Sequence, residues 1–337
     1  MGIKALAGRL LRAVTRPYDP KRVTRRSIVW AYRLLLDRNP ENRSVVAEKL
    51  EGPIATMRDL RSAFILSSEF ADRDPELAQF PVGTIVIVEL PIGRRLFVDL
   101  ADAVIGGMIV RGKYEADVLD LLPRFVTPGM TVLDLGANIG LFSIYLAHFV
   151  GETGKVIAFE PIQECADLMR RSIAENELED RILLRETAVG ERSGEAEILY
   201  VHDARNQGAA FIVGDNDPHC MTPHDIRKVP LVALDDCEFD DRIGFIKMDV
   251  EGAEPLCVKG ARKLLERDRP LILSELHPAQ LRRVSGCRPS EYLDQMRRLQ
   301  YRCFIIDGGE IVPLAPEPEP DQVAALLFAP AEHKLAQ

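Results

Sequence analysis

The stretch Thr131-Val132-Leu133-Asp134-Leu135-Gly136-Ala137-Asn138-Ile139-Gly140-Leu141 decides the fold. Thr131 to Leu135 reads as an apolar strand carrying one acid, and an apolar helix runs from Leu141 to about Phe149. Between them, Gly136 permits a tight turn and Gly140 a close approach at the helix entry, so that backbone N–H groups can face a bound polar ligand. The next strand, Lys155 to Phe159, ends on Glu160, 26 residues beyond Asp134. A carboxylate there is placed to accept hydrogen bonds from a ribose diol, in a crevice at the carboxyl ends of parallel strands.

A dinucleotide fingerprint would read GxGxxG, whereas here Asn138 stands where its second glycine would be. Without that glycine a pyrophosphate has less room against the backbone. A cofactor without phosphate, whose charged amino-acid end Asp134 could orient, fits better, and an NAD-linked oxidoreductase is the enzyme rival. Downstream, the helix from Ile162 to Asn176, the strands Arg181 to Thr187, Glu195 to Val201 and Phe245 to Met248, the helix Glu254 to Leu265 and the strand Leu271 to Ser274 continue the alternation. That pattern predicts an α/β fold, a doubly wound, mostly parallel sheet covered on both faces. Tyr301 to Ile306 and Glu310 to Val312 form a terminal hairpin around Asp307-Gly308-Gly309.

Upstream, Thr84 to Leu90, Arg95 to Leu100 and Ala103 to Ile105 have a period of two, and Lys113 to Leu122 reads as a helix. Before them lies a small N-terminal helical domain: Ile28 to Leu36, a second helix capped by Ser44, and a third from Thr56 to about Leu66. The expected organisation is therefore 1–80 for the basic head and helical unit, 81–315 for the cofactor domain including a strand extension over 81–112, and 316–337 for a C-terminal tail, exposed over its proline-acid stretch Pro316 to Pro320. A length of 337 residues agrees with two unequal domains at about 150 residues per domain.

Of the formal charge of -9, residues 1–33 hold +8, residues 34–80 hold -3 and residues 81–337 hold -14. An acidic body argues against a large nucleic-acid footprint. The basic head permits peripheral membrane contact through residues 1–33, where Ile3, Leu6, Leu10 and Val14 recur at helical spacing. The six cysteines include no CxxC pair, so neither a disulfide scaffold nor a zinc knuckle is indicated. His219, Cys220, His224 and Cys237 read as part of an irregular loop rather than a zinc site. No continuous apolar leader opens the chain, and a cytoplasmic setting is expected. Nothing bears on the oligomeric state.

Three ordered motifs resemble the FkbM-type S-adenosylmethionine-dependent methyltransferases: Asp134 to Gly140, Phe159-Glu160-Pro161, and Ile246-Lys247-Met248-Asp249-Val250-Glu251-Gly252-Ala253-Glu254. Gly112-Lys113-Tyr114-Glu115, Leu234-Asp235-Asp236 and Leu273-Ser274-Glu275-Leu276-His277 fit the same family. The resemblance implies a class I methyltransferase-like, Rossmann-like domain that binds S-adenosyl-L-methionine and methylates a small-molecule or glycan acceptor, commonly at a hydroxyl. It also implies that Asp134, Gly136, Asn138 and Gly140 line the cofactor's amino-acid side and that Glu160 meets its ribose. Tyr32 to Phe70 separately resembles a bacterial helical domain of unknown function, associated with glycan-modifying proteins. A glycan-binding module with a vestigial cofactor fold is the non-enzyme rival.

Methyl transfer from a sulfonium is an in-line displacement that needs a held acceptor oxygen and a group to take its proton. Lys247 and Asp249 alternate with Ile246 and Met248 and so share one face, in a pocket or a mutual ion pair. Glu275 and His277 share a face at the next strand end, and His277 and Asp249 are the two candidate bases. Glu251, Glu254 and Glu275 serve the acceptor pocket or the structure, Glu254 as a partner for a helix N-terminus. Asp249, Glu251, Glu275 and His277 are chemically suited to a metal, but no spacing demands one and none is expected.

Overall fold

The computed structural model describes residues 23–36, 38–51, 60, 63–64, 83–102, 105–112, 114–200, 210–212, 225–314 and 321–333. The chain divides into two compact units, Met1–Phe80 and Pro81–Gln337.

In the first unit, α1 (Arg25–Leu35) starts at a capping box between Thr24 and Ser27. Its apolar stripe places Ile28, Tyr32 and Leu36 in a small core with Val46, Leu60 and Phe64. The Tyr32 and Phe64 rings meet edge-on at 4.7 Å. The second helix, α2 (Arg43–Glu51), is capped by Asn42 and not by Ser44: Asn42 Oδ1 accepts from the N–H groups of Ser44 (2.9 Å) and Val45 (3.1 Å). Most of the expected third helix lies outside the described residues, as do positions 1–22.

The second unit opens with an antiparallel hairpin, β1 (Ile85–Glu89) and β2 (Arg95–Asp99). Ile105 does not extend a third strand but begins α3 (Ile105–Val110), because Asp102 Oδ1 accepts from the Ile105 N–H (2.8 Å) and caps a helix there. The helix expected from Lys113 to Leu122 is reduced to α4 (Ala116–Leu119) and a 3₁₀ turn at Leu122–Arg124. Glu115, at φ 45°, stands in the left-handed region and stops the helix from starting earlier.

The chain then runs β3 (Thr131–Leu135), α5 (Leu141–Val150), β4 (Lys155–Phe159), α6 (Gln163–Glu175) and β5 (Ile182–Arg185). Next come four short strands, β6 (Ala188–Val189), β7 (Gly194–Tyr200), β8 (Ala210–Ile212) and β9 (Asp225–Val232). The last part comprises β10 (Ile243–Met248), α7 (Glu254–Gly260), α8 (Arg262–Asp268), β11 (Leu271–Leu276), α9 (Pro278–Val284), α10 (Pro289–Arg298), β12 (Tyr301–Asp307), β13 (Glu310–Pro313) and β14 (Ala324–Pro330). The main sheet has the order β13-β12-β14-β11-β10-β3-β4-β5, with β5, β4, β3, β10 and β11 mutually parallel. A second sheet, β6-β9-β7-β8, is built from the segment between β5 and β10.

Three further expectations are corrected. The tail predicted over 316–337 contains β14, inserted between β11 and β12 and antiparallel to both. Its run Leu326-Leu327-Phe328-Ala329 is fully buried, as a strand covered on both faces requires. The irregular loop expected to reach Cys237 is instead a strand from Asp225, where β9 begins and pairs with β7. Its mixed sequence, with a proline inside, hides it from pattern reading; residues 213–224 lie outside the described set. The single helix expected from Glu254 to Leu265 breaks at Ala261, where Gly260 packs so closely that a Cβ would lie 2.0 Å from the Gly190 carbonyl oxygen.

Alternation along the central strands sorts their side chains. Val132 and Phe245 join the core of α5 and α6, while Leu133, Leu135, Ile246 and Met248 join that of α7, α8 and α10. Asp134 and Lys247 thereby share the α5 face, in register across β3 and β10.

Candidate functional site

The carboxyl ends of β3, β4 and β10 open on a cleft. Gly136, Asn138, Glu160, Thr187, Lys247 and Asp249 line it, with Ile198 and Ile212 from the second sheet adding an apolar wall. Gly136 has φ +75°, and a Cβ on it would sit 1.9 Å from the Asp249 carbonyl oxygen, so only glycine fits between β3 and the end of β10. Gly140 has φ +90° and lies against Met169, bringing α5 onto α6.

The turn's N–H groups do not face a ligand as the sequence suggested. Those of Gly136 and Ala137 both donate to the Phe159 carbonyl (3.0 Å each), that of Gly140 to Ala137 (2.9 Å), that of Asn138 to Glu160 Oε2 (2.7 Å) and that of Ile139 to the Asn138 side chain (2.7 Å). Positive φ at Gly136 and Asn138 curls the turn over the end of β4 and consumes its donors internally. What remains toward the cleft is acceptor chemistry, which suits the ammonium and hydroxyl donors of S-adenosylmethionine.

Asp134 is fully buried; its Oδ2 accepts from Ser143 Oγ (2.6 Å), and its Oδ1 has no hydrogen-bond partner, with Lys247 Nζ 4.0 Å away. Burial raises its pKa against the pull of Lys247 and Ser143. Lys247 Nζ donates to Asp249 Oδ2 (3.1 Å) and to the Gly136 carbonyl (3.4 Å), and lies 4.9 Å from the centre of the Phe142 ring. Burial disfavours its charge, but Asp249, Asp134 and Glu115 outweigh this and hold its pKa above the ordinary lysine value. The buried Glu160 accepts from Asn138 and from Ile162 N–H (2.8 Å), and burial pushes it up to about 7.

A second cavity, of about 580 Å³, shares Lys247 and Asp249 with the first and is lined also by Glu115, Ser274, Glu275 and Ala324. Burial pushes Glu115 up to about 7, even as Lys247 and a hydrogen bond with Tyr114 pull it down. Burial and neighbouring carboxylates, Asp249 first, raise Glu251 to about 8 and Glu275 to about 9. Glu254 is buried, and its Oε1 accepts from Val250 (3.0 Å) and Gly252 (3.3 Å) N–H groups, fastening the turn that carries Glu251 at φ 53°. It therefore stabilises the loop before α7 rather than facing the cavity.

His277 is placed differently from the expectation. Strand β11 extends to Leu276, and His277 becomes the N-cap of α9, its Nδ1 accepting from Gln280 N–H at 3.4 Å. It lines neither cavity, and Glu275 alone represents its strand end there. Tyr114 and Glu115 are the site residues that sequence reasoning passed over. The motif Gly112-Lys113-Tyr114-Glu115 stood out, but a segment more than 100 residues from Lys247 in sequence gave no sign of reaching it. His219, Cys220 and His224 lie outside the described residues, among which no three His, Cys, Asp or Glu side chains form a metal-binding group.

A parallel sheet with one reversed inner strand, and an acid-glycine turn rich in acceptors, define a Rossmann-like S-adenosylmethionine-dependent methyltransferase fold. The chain belongs to the methyltransferase FkbM domain family, matched over residues 134–303. It is 26% identical over 187 residues to the methyltransferase sdnD of Sordaria araneosa, covering 47% of this chain and 68% of that one. Over 88 residues it is 33% identical to a protein-L-isoaspartate O-methyltransferase of Methanococcoides burtonii, covering 26% of this chain and 34% of that enzyme's length. A crystal structure of a methyltransferase FkbM from Methylobacillus flagellatus aligns with 89% of this chain and 58% of its own, at 16% identity and a TM-score of 0.39.

Proposed function

We propose that the chain transfers the methyl group of S-adenosylmethionine to a hydroxyl oxygen of a neutral, hydroxyl-rich acceptor, a saccharide or a small polyol-like molecule. The observation that carries this reading is the meeting of the two cavities at Lys247 and Asp249, one walled by cofactor-type acceptors and the other by carboxyls. S-adenosylmethionine, when bound, supplies a methyl on a positively charged sulfur. On the cofactor side Glu160, which lines the cleft, would receive the ribose hydroxyls, while the fully buried Asp134 lies behind the lining and holds Ser143 and Lys247. On the acceptor side, Asp249, anchored by Lys247, accepts a hydrogen bond from the reacting hydroxyl and aims its lone pair. Glu115, up at about 7, is matched to proton transfer near neutrality and takes the hydroxyl proton as the new O–C bond forms. Glu275, held mostly protonated at neutral pH, donates to another acceptor oxygen, while Glu251 lines the cofactor cleft. An anionic acceptor would add a like charge beside Asp249 and Glu115. The reading moves proton removal from the two expected bases, His277 and Asp249, to Glu115, and leaves Asp249 to orient the hydroxyl. The described cysteines are all free thiols, which supports a cytoplasmic setting.

The test is formation of S-adenosylhomocysteine in the presence of neutral methyl glycosides and, separately, the matching uronic acids, with calorimetry of S-adenosylmethionine and NAD beside it. Turnover with neutral glycosides and heat with S-adenosylmethionine alone are expected. Heat with NAD and none with S-adenosylmethionine would sink the cofactor assignment. Turnover confined to the uronic acids would sink the acceptor class.

A further inference from the structure

Helix α1 buries one face and leaves the other without a role in the chemistry above. Ile28, Tyr32 and Leu36 fill the core of the first unit. On the outer side, Arg26, Trp30, Arg33 and Leu34 fall at spacings of four, seven and eight residues, hence on one face. Trp30 is 46% exposed and Leu34 is 74% exposed, an unusual outlay of apolar surface for so small a unit. The helix contains no acid. Arg25 and Arg26 are exposed and make no ion pair with a described residue. Arg33 lies 5.8 Å from the centre of the Trp30 ring and donates to Asn39 Oδ1 (2.8 Å), which fixes the aromatic and the cation as a pair.

This face continues a segment of strong charge. Residues 1–33 net +8, whereas the remaining residues, 34–337, net -17. A negative surface attracts this basic segment and repels the acidic remainder of the chain. Arginines beside an exposed tryptophan and leucine match an anionic bilayer, where phosphates meet the guanidinium groups and the interfacial zone accepts the rings and methyls. A nucleic acid would use the arginines and leave Leu34 idle. No described helix is long and apolar enough to cross a membrane.

We propose that the outer face of α1 is a docking surface for anionic lipid bilayers, with Trp30 and Leu34 entering the interfacial zone and Arg25, Arg26 and Arg33 on lipid phosphates. The proposal is independent of the acceptor named above.

Trp30 is the single tryptophan of the chain, so intrinsic fluorescence reads this face directly. The full chain is titrated with vesicles of phosphatidylcholine containing about 30 mol% phosphatidylglycerol, and with pure phosphatidylcholine, at low and at high salt. A blue shift of Trp30 and co-sedimentation with the anionic vesicles are expected, weakened on the order of tenfold by high salt or by pure phosphatidylcholine. Leu34→Ser and the pair Arg26→Glu, Arg33→Glu should each lower vesicle affinity by a similar factor while leaving the heat of S-adenosylmethionine binding unchanged. Unchanged Trp30 emission with anionic vesicles overturns the proposal. So does full binding by the variants, which would place the contact elsewhere, or an emission shift produced by single-stranded RNA and not by vesicles.

Discussion

Lys247→Met keeps the unbranched apolar stem of a side chain that is 6% exposed and removes its ammonium. Left behind are Asp249, 3.1 Å from the lost charge, and Asp134, 4.0 Å from it and completely buried with one oxygen unpartnered. A charge pair at that separation is worth about 4 kcal/mol at an effective dielectric of about 20, and breaking a buried pair one-sidedly costs about 3–5 kcal/mol. A destabilisation of about 3–5 kcal/mol near pH 8 is therefore expected. Its pH dependence has a definite sign. Asp134 already has a raised folded-state pKa, and loss of Lys247 raises it further. A carboxyl raised on folding contributes stability below its unfolded pKa and loses it as pH rises through the folded value, so the penalty shrinks toward about pH 5. Urea unfolding followed by far-UV circular dichroism measures it. Adding Asp134→Asn to Lys247→Met should recover most of the loss by removing the stranded charge. A loss below about 1 kcal/mol, as for a solvent-exposed pair, or one equal at both pH values, would refute a buried dependence of Asp134 on Lys247.

Gly136→Ala places a Cβ 1.9 Å from the Asp249 carbonyl oxygen at a φ of +75°, so heat of S-adenosylmethionine binding should disappear in calorimetry even if circular dichroism stays near wild type. Because Glu115 and Glu160 stand near 7, Glu251 near 8 and Glu275 near 9, their stabilising share is complete below the ordinary carboxylate range and is lost as pH rises through about 7 to 9. The urea midpoint of the ligand-free second unit should fall over that window, and Glu275→Gln should flatten its upper end. Phe328→Ala empties a fully buried ring position facing Tyr292 at 5.4 Å, and a loss of about 3–5 kcal/mol should appear in the same urea experiment.

Much of the cofactor side was legible because its signals are local. An apolar strand ending in Asp134, a glycine at 136 and an acid after the next strand are read within 30 residues. Period-two alternation put Lys247 and Asp249 on one face, and the register with β3 brings Lys247 beside Asp134 on that face. The acceptor side was less legible. Glu115 and Tyr114 sit before a helix that a left-handed residue cuts short, and their nearness to Lys247 is a contact across the fold. His277 looked like a strand-end base, but two more residues of β11 turned it into a helix cap.

The sequence by itself determined the alternating α/β order, the faces of the central strands, the glycine turn and the acid after β4, since each depends on periodicity or on one residue's conformational freedom. Only the tertiary structure decided three further things. It inserted β14 between β11 and β12, turned the glycine turn's N–H groups inward onto Phe159 and Glu160, and gathered Glu115, Glu251 and Glu275 around Asp249. Those outcomes depend on which distant segments share a desolvated space. Desolvation strengthens charge interactions and raises carboxyl pKa values only after the whole sheet has closed around them.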